Sequence, residues 1–138
     1  MKIKIFYDDV KYRLENVKKI KELLIKVIRN EKKIPGDLNF IITNDGNIRK
    51  INKEFLKRDI FTDVIAFDYG LDDKVNGEVY ISIDTVKLNA NNYKVSLKSE
   101  ILRVIIHGTL HLCGYCDKTD EEKVEMHRLE ERWIGRLD

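Results

Sequence analysis

The chain has 138 residues, 43% of them hydrophobic and 36% charged, with a formal net charge of +2. That length suits one domain whose core can stand without disulfides, and the near-cancellation of charge removes the profile of a protein that binds nucleic acid by its field alone. The two cysteines, Cys113 and Cys116, lie too close together to be a secreted disulfide framework, and no apolar run approaches the roughly 20 residues of a membrane span.

Met1 is followed at once by KIKIFYDD, whose polar–apolar alternation predicts a strand rather than a signal peptide, so a cytoplasmic, reducing location is expected. Leu14, Val17, Ile20, Leu24, Val27 and Ile28 then recur on one helical face, with lysines opposite. Pro35-Gly36 predicts a loop. DLNFIIT (37–43) predicts a strand, and a cap at Asn44 or Asp45 opens a helix carrying Ile48, Ile51 and Phe55. TDVIAF (62–67) and EVYISI (78–83) predict two more strands, with LDDKVNG as the polar turn before the second. Asp84 is placed to cap a short helix ending about Asn92, and Ser96 to cap a helix running to about Leu112 before Gly114. TDEE (119–122) is a capping box that starts a last helix over roughly 120–134. Strands and helices do not alternate strictly. The expectation is an α+β fold: a single four-stranded mixed sheet with packed helices, in one domain spanning residues 1–138.

The chemistry concentrates in HGTLHLCGYCDKT, His107 to Thr119. Histidines four apart on a helix project from one face, as two imidazoles must to share a cation. The plain alternative is two solvated surface histidines. Gly114 suits a left-handed turn that returns the chain across the histidine face, and Asp117 follows three residues later. The spacing H-x-x-x-H-x-x-G-x-x-D predicts a zincin-like metal site on a helix and turn, with Asp117 as the third ligand. Three protein ligands leave a coordination position open for catalysis, with one Zn2+ per chain expected and iron, nickel and manganese left open. Position 108 is Gly where a metzincin carries its general-base Glu, which argues against a peptidase. Cys113 reads as a small buried residue. Cys116 ranks second to Asp117 as third ligand, with His127 behind both. CGYC follows a helix C-terminus, where the dipole disfavours a redox thiolate. Arg103, one turn before His107, either faces the site or pairs with Glu100.

The segment His107 to Tyr115 resembles the signature HGxLHLxGYDH of the YbeY-type endoribonucleases, a family of bacterial rRNA maturation factors. It agrees through Tyr115 and departs at Cys116, where the family has Asp, and at Asp117, where it has a third ligand His. A second block, NKEFLKRDIFTDVIAF (52–67), is similar to the family's N-x-x-Y-R-x-K-D-x-P-T-D-V-L-S-F, sharing Asn52, Asp59, Thr62, Asp63, Val64 and Phe67. GEVYISID (77–84) resembles a family strand.

The resemblance implies a metal-dependent endoribonuclease acting on single-stranded ribosomal RNA. It implies roles in rRNA maturation, including 16S rRNA 3′ end processing, and in ribosome quality control, with the ribosome or ribosomal proteins as further partners. The family's Arg falls on Leu56, so Arg58, then Lys57, is expected to stabilise charge in the transition state. Thr62 and Asp63 either approach the metal pocket or cap a turn. Lys18, Lys21 and Lys26 either line an RNA groove or form a solvated helix face. Two other classes stand beside this one: a metal-dependent hydrolase of small phosphate or amide substrates, and a non-catalytic ribosome-associated factor with a structural metal.

Overall fold

A computed structural model describes residues 2–56 and 62–137. Strands β1 (Lys2–Tyr7), β2 (Ile34–Thr43), β3 (Val64–Asp68) and β4 (Lys74–Ser82) form one mixed sheet in the order β1-β2-β4-β3. β1 and β4 both run parallel to β2, and β3 runs antiparallel to β4. Helices α1 (Val17–Asn30), α2 (Asp45–Phe55), α3 (Ile83–Tyr93), α4 (Leu97–Leu112) and α5 (Asp120–Ile134) complete the described elements, which is the α+β architecture the pattern predicts. No helix among the described residues is long and apolar enough to cross a membrane.

Several boundaries differ from the expectation: α1 begins at Val17, so Leu14, read on its apolar face, is buried ahead of the helix, and β2, β4 and α3 differ for local reasons. β2 begins at Ile34 and takes in Pro35-Gly36. The register shifts between Pro35 and Leu38, and the Asp37 N–H donates to the Asn76 Oδ1 (2.7 Å), so a proline without an N–H is absorbed in a bulge. On the partner strand, Lys74 to Gly77 belong to β4, so the predicted polar turn is shorter than its composition suggests. The cap of α3 is Ser82, whose Oγ accepts from the Thr85 N–H at 3.4 Å, and not Asp84. The Asp84 carboxylate instead accepts from the backbone N–H of Asp45, tying α3 to the start of α2.

α4 lies at the centre, buried along Ile101, Leu102, Val104, Ile105, Ile106 and Leu110. It packs with α1 against one face of the sheet, where Val79 meets Gly108. α2 covers part of the other face: Phe55 packs edge-on to Phe67, and Phe67 to Tyr80, which alternates with Val79 across β4. The Gly108 position has no room for a side chain, since a Cβ there would lie 2.7 Å from a Val79 methyl. The position where a metzincin keeps its general base is here buried against the sheet.

Candidate metal centre

The site is built by the way α4 ends. Gly114 takes φ +108°, its N–H donates to the His111 carbonyl (3.0 Å), and the Tyr115 N–H donates to the Leu110 carbonyl (3.1 Å). This pair of bonds is a Schellman ending, and only a residue free to adopt positive φ makes it without strain. The turn brings the Tyr115 carbonyl to the His111 Nδ1 at 2.9 Å and returns Asp117 to the face of α4 that carries both imidazoles.

The His107 Nε2 stands 3.2 Å from one Asp117 oxygen, and the His111 Nε2 3.4 Å from the other. The two rings are 4.7 Å apart at 78°. One donor atom from each residue lies within 4.8 Å of the other two. Donors on a tetrahedral ion with bonds near 2.0–2.1 Å stand about 3.3 Å apart, so the spacing suits a single small cation.

The hydrogen bonds behind the rings sharpen this fit. The His107 Nδ1 is 2.6 Å from the Glu130 Oε2, and the His111 Nδ1 faces the Tyr115 carbonyl. Both partners only accept, so each Nδ1 carries a proton, and each neutral ring turns the lone pair of its Nε2 toward Asp117. Two lone pairs and a carboxylate then converge with no hydrogen between them. A cation, or a proton on one ring, must neutralise that arrangement. The donor set of two imidazoles and a carboxylate fits zinc and its neighbours in the first transition row.

The electrostatics agree. Burial works against a charged His107, but the hydrogen bond and charge of Glu130, with Asp117 and Asp63, outweigh it and raise the imidazole above its usual range. Burial raises the Asp63 carboxyl, opposed in part by His107.

The remaining sequence candidates separate clearly. Thr62 and Asp63 line a cavity of about 370 Å³ together with His107, His111 and Asp117. A second cavity of about 610 Å³ continues from Asp63, His107 and Asp117 to Asn89, Tyr93 and Lys123. Lys57 and Arg58 lie outside the described residues. Lys18, Lys21 and Lys26 sit on α1, and none of them lines either cavity. Cys113 is partly buried and reduced, its thiol pushed up to about 12 by burial, while Cys116 is exposed and reduced. Neither cysteine belongs to the three-residue cluster, nor does His127, which is exposed near Arg103 and Glu131. Arg103 pairs with Glu100 (3.2 Å) and also reaches across to Glu130 and Glu131 on α5.

Glu130 was not singled out by motif. Its signal was positional, since it shares the spacing of Met126, Leu129 and Trp133 on α5, a charged group inside an apolar stripe. A carboxylate 5% exposed needs partners, and the fold provides His107 and Arg103.

With this geometry in hand, comparison with known proteins is decisive. The family model described as Endoribonuclease YbeY matches residues 2–138. The chain belongs to the Endoribonuclease YbeY family. It is 45% identical over 105 residues to the Endoribonuclease YbeY of Flavobacterium psychrophilum, covering 76% of this chain and 75% of the relative. It is 39% identical over 130 residues to that of Christiangramia forsetii, covering 94% and 91%. A Thermotoga maritima protein of known solution structure superposes with a TM-score of 0.68 at 27% identity, covering 99% of this chain and 89% of that one.

Proposed function

We propose that this chain is a metal-dependent endoribonuclease that cleaves single-stranded RNA, with Zn2+ held by His107, His111 and Asp117 in a zincin-like site. One observation carries the reading: the Nε2 atoms of two imidazoles stand 3.2 and 3.4 Å from the two oxygens of one carboxylate, with a donor atom from each residue within 4.8 Å of the others, beside a cavity, in a chain whose relatives bear the name endoribonuclease. When bound, the metal supplies Lewis acidity toward a phosphoryl oxygen and toward a coordinated water.

The chain's own groups perform the remaining work. His107 and His111 turn their Nε2 atoms toward Asp117, and the Asp117 carboxylate offsets one of the two charges of a divalent ion. Each Nδ1–H donates to its acceptor, Glu130 Oε2 or the Tyr115 carbonyl, which fixes the orientation of the ring. Gly108 offers no carboxylate on α4 between the ligands, and the carboxyl that shares their cavity is Asp63, raised by burial, which is the group placed to take a proton there. Arg58, with Lys57 next to it, is the proposed source of positive charge for the phosphorane-like transition state. The first described residue after them, Thr62, lines the cavity that holds the ligands. The same reading extends to ribosomal RNA as substrate, including 16S rRNA 3′ end processing and ribosome quality control, to ribosomal partners and to a cytoplasmic setting.

The test is cleavage of single-stranded RNA by the purified chain, with and without chelator, beside His111→Ala and Arg58→Ala. Cleavage is expected to vanish with chelator and in His111→Ala, and to fall by about 10²–10³ in Arg58→Ala. Undiminished cleavage by His111→Ala would remove the metal from the mechanism. Intact RNA alongside hydrolysis of a small phosphate ester would favour the small-substrate class.

A further inference from the structure

We infer that Glu130, braced by Arg103, is a positioning residue that sets the tautomer and orientation of His107 and thereby the metal affinity of the centre. The inference rests on the metal reading above and extends it to residues outside the motif.

His107 and His111 are held in different ways. The acceptor behind His111 is the Tyr115 carbonyl, fixed by the backbone turn that also aims Asp117. The acceptor behind His107 is a side chain from another helix, Glu130 on α5, at 2.6 Å. That contact is short for a bond from a ring nitrogen to a carboxylate, as expected where the acceptor is charged. A carboxylate behind an imidazole keeps the proton on Nδ1, leaves the Nε2 free to bind and raises its basicity.

Glu130 in turn needs a cation, because a buried carboxylate left unpaired is costly. Its second oxygen lies 3.4 Å from an Arg103 nitrogen. Arg103 springs from α4 one turn before His107, so the brace and the ligand share a rigid element. The same guanidinium holds Glu100 at 3.2 Å, and Glu100 is only 2% exposed. It also bonds Glu131 on α5. One guanidinium therefore gathers carboxylates from both helices and fixes α5 against α4 where Glu130 must meet His107. The other titratable groups facing this knot are Asp63, Tyr93, Asp117, Lys123 and His127, which line the same cavity.

The experiment has two readouts. The first is the histidine ring-nitrogen NMR pattern of zinc-free protein, at alkaline pH where imidazoles are neutral. The wild-type His107 is expected in the Nδ1–H form. Glu130→Ala should shift it toward a mixture while leaving His111, held by the backbone, unchanged. The second is zinc affinity by competition with a chromophoric chelator. Glu130→Ala and Arg103→Met should weaken binding by about 10–100-fold, and Glu130→Gln, which keeps an acceptor without the charge, by less. A destabilised fold alone would disturb both histidines together, so the His111 signal separates positioning from unfolding. If Glu130→Ala does not fold, Glu130→Gln carries the test, with weaker zinc binding expected. A folded Glu130→Ala or Glu130→Gln with unaltered His107 tautomer and wild-type zinc affinity overturns the inference. A wild-type chain that binds no divalent metal while His107 still depends on Glu130 would instead defeat the metal reading alone.

Discussion

At the scale of single residues, the centre depends on which atoms face inward and which outward. His107 and His111 each use Nδ1 for support and Nε2 for the site, and Asp117 spans both rings with its two oxygens. A carboxylate at this position keeps a ligand but lowers the charge of the site by one relative to a third imidazole. Asp117→His is therefore expected to retain about one equivalent of zinc, and Asp117→Ala to lose it, measured by elemental analysis of dialysed protein. Full occupancy in Asp117→Ala would point to Cys116 or His127, against the clustering in the fold. Residue chemistry also explains the cysteines. Cys113, expected as a buried residue, is a partly buried thiol packed against the core, and Cys116 is exposed; both are free despite their C-x-x-C spacing.

At the scale of elements, α4 does two jobs that compete for space. Its apolar side fills the core, and its polar side carries Glu100, Arg103, His107 and His111. Close packing of helix on sheet comes from Gly108 against Val79. Gly108→Ala is expected to destabilise the chain by about 1–3 kcal/mol in urea titrations, through overpacking. Val79→Ala in the same chain should return part of that loss, because the offending contact is the valine methyl. Strict additivity of the two substitutions would show that the helix had shifted instead. α5 owes its start to the Thr119–Glu122 capping box, which the spacing in the sequence made visible. Its buried carboxylate was less visible, because a glutamate on a helix usually faces water.

At the scale of the whole molecule, ligands from α4 and the turn after Gly114 meet a support from α5 and a cavity wall from the start of β3. A cation bound only in the folded arrangement adds to folding stability in proportion to its occupancy. Zinc at about 100 times its dissociation constant should stabilise the chain by about 2.7 kcal/mol. For a chain of this size that is on the order of 10 °C in melting temperature, read by calorimetry with and without chelator. No change on adding zinc, with His111→Ala melting like the wild type in both conditions, would count against a site formed by folding.

Much of this was present in the linear chain. Alternation marked the strands, the 3.6-residue recurrence of Ile20, Leu24, Val27 and Ile28 marked α1, and Ser96, Gly114 and Thr119 marked where helices begin and end. The His107–His111–Asp117 cluster, which could hold a metal ion, was legible because its members lie within eleven residues, where helix pitch and one glycine turn set their geometry locally. The long-range pairings were not legible: the strand order β1-β2-β4-β3, the bulge that absorbs Pro35, the capping of α3 by Ser82 rather than Asp84, and the meeting of Glu130 with His107 across 23 positions. Those depend on which faces pack together, and a periodic pattern states that a face is apolar without naming its partner. The local chemistry of the cluster, with the Tyr115 carbonyl behind His111, belongs to the sequence, and the group behind His107, Glu130, was decided only by the packing of α5 on α4.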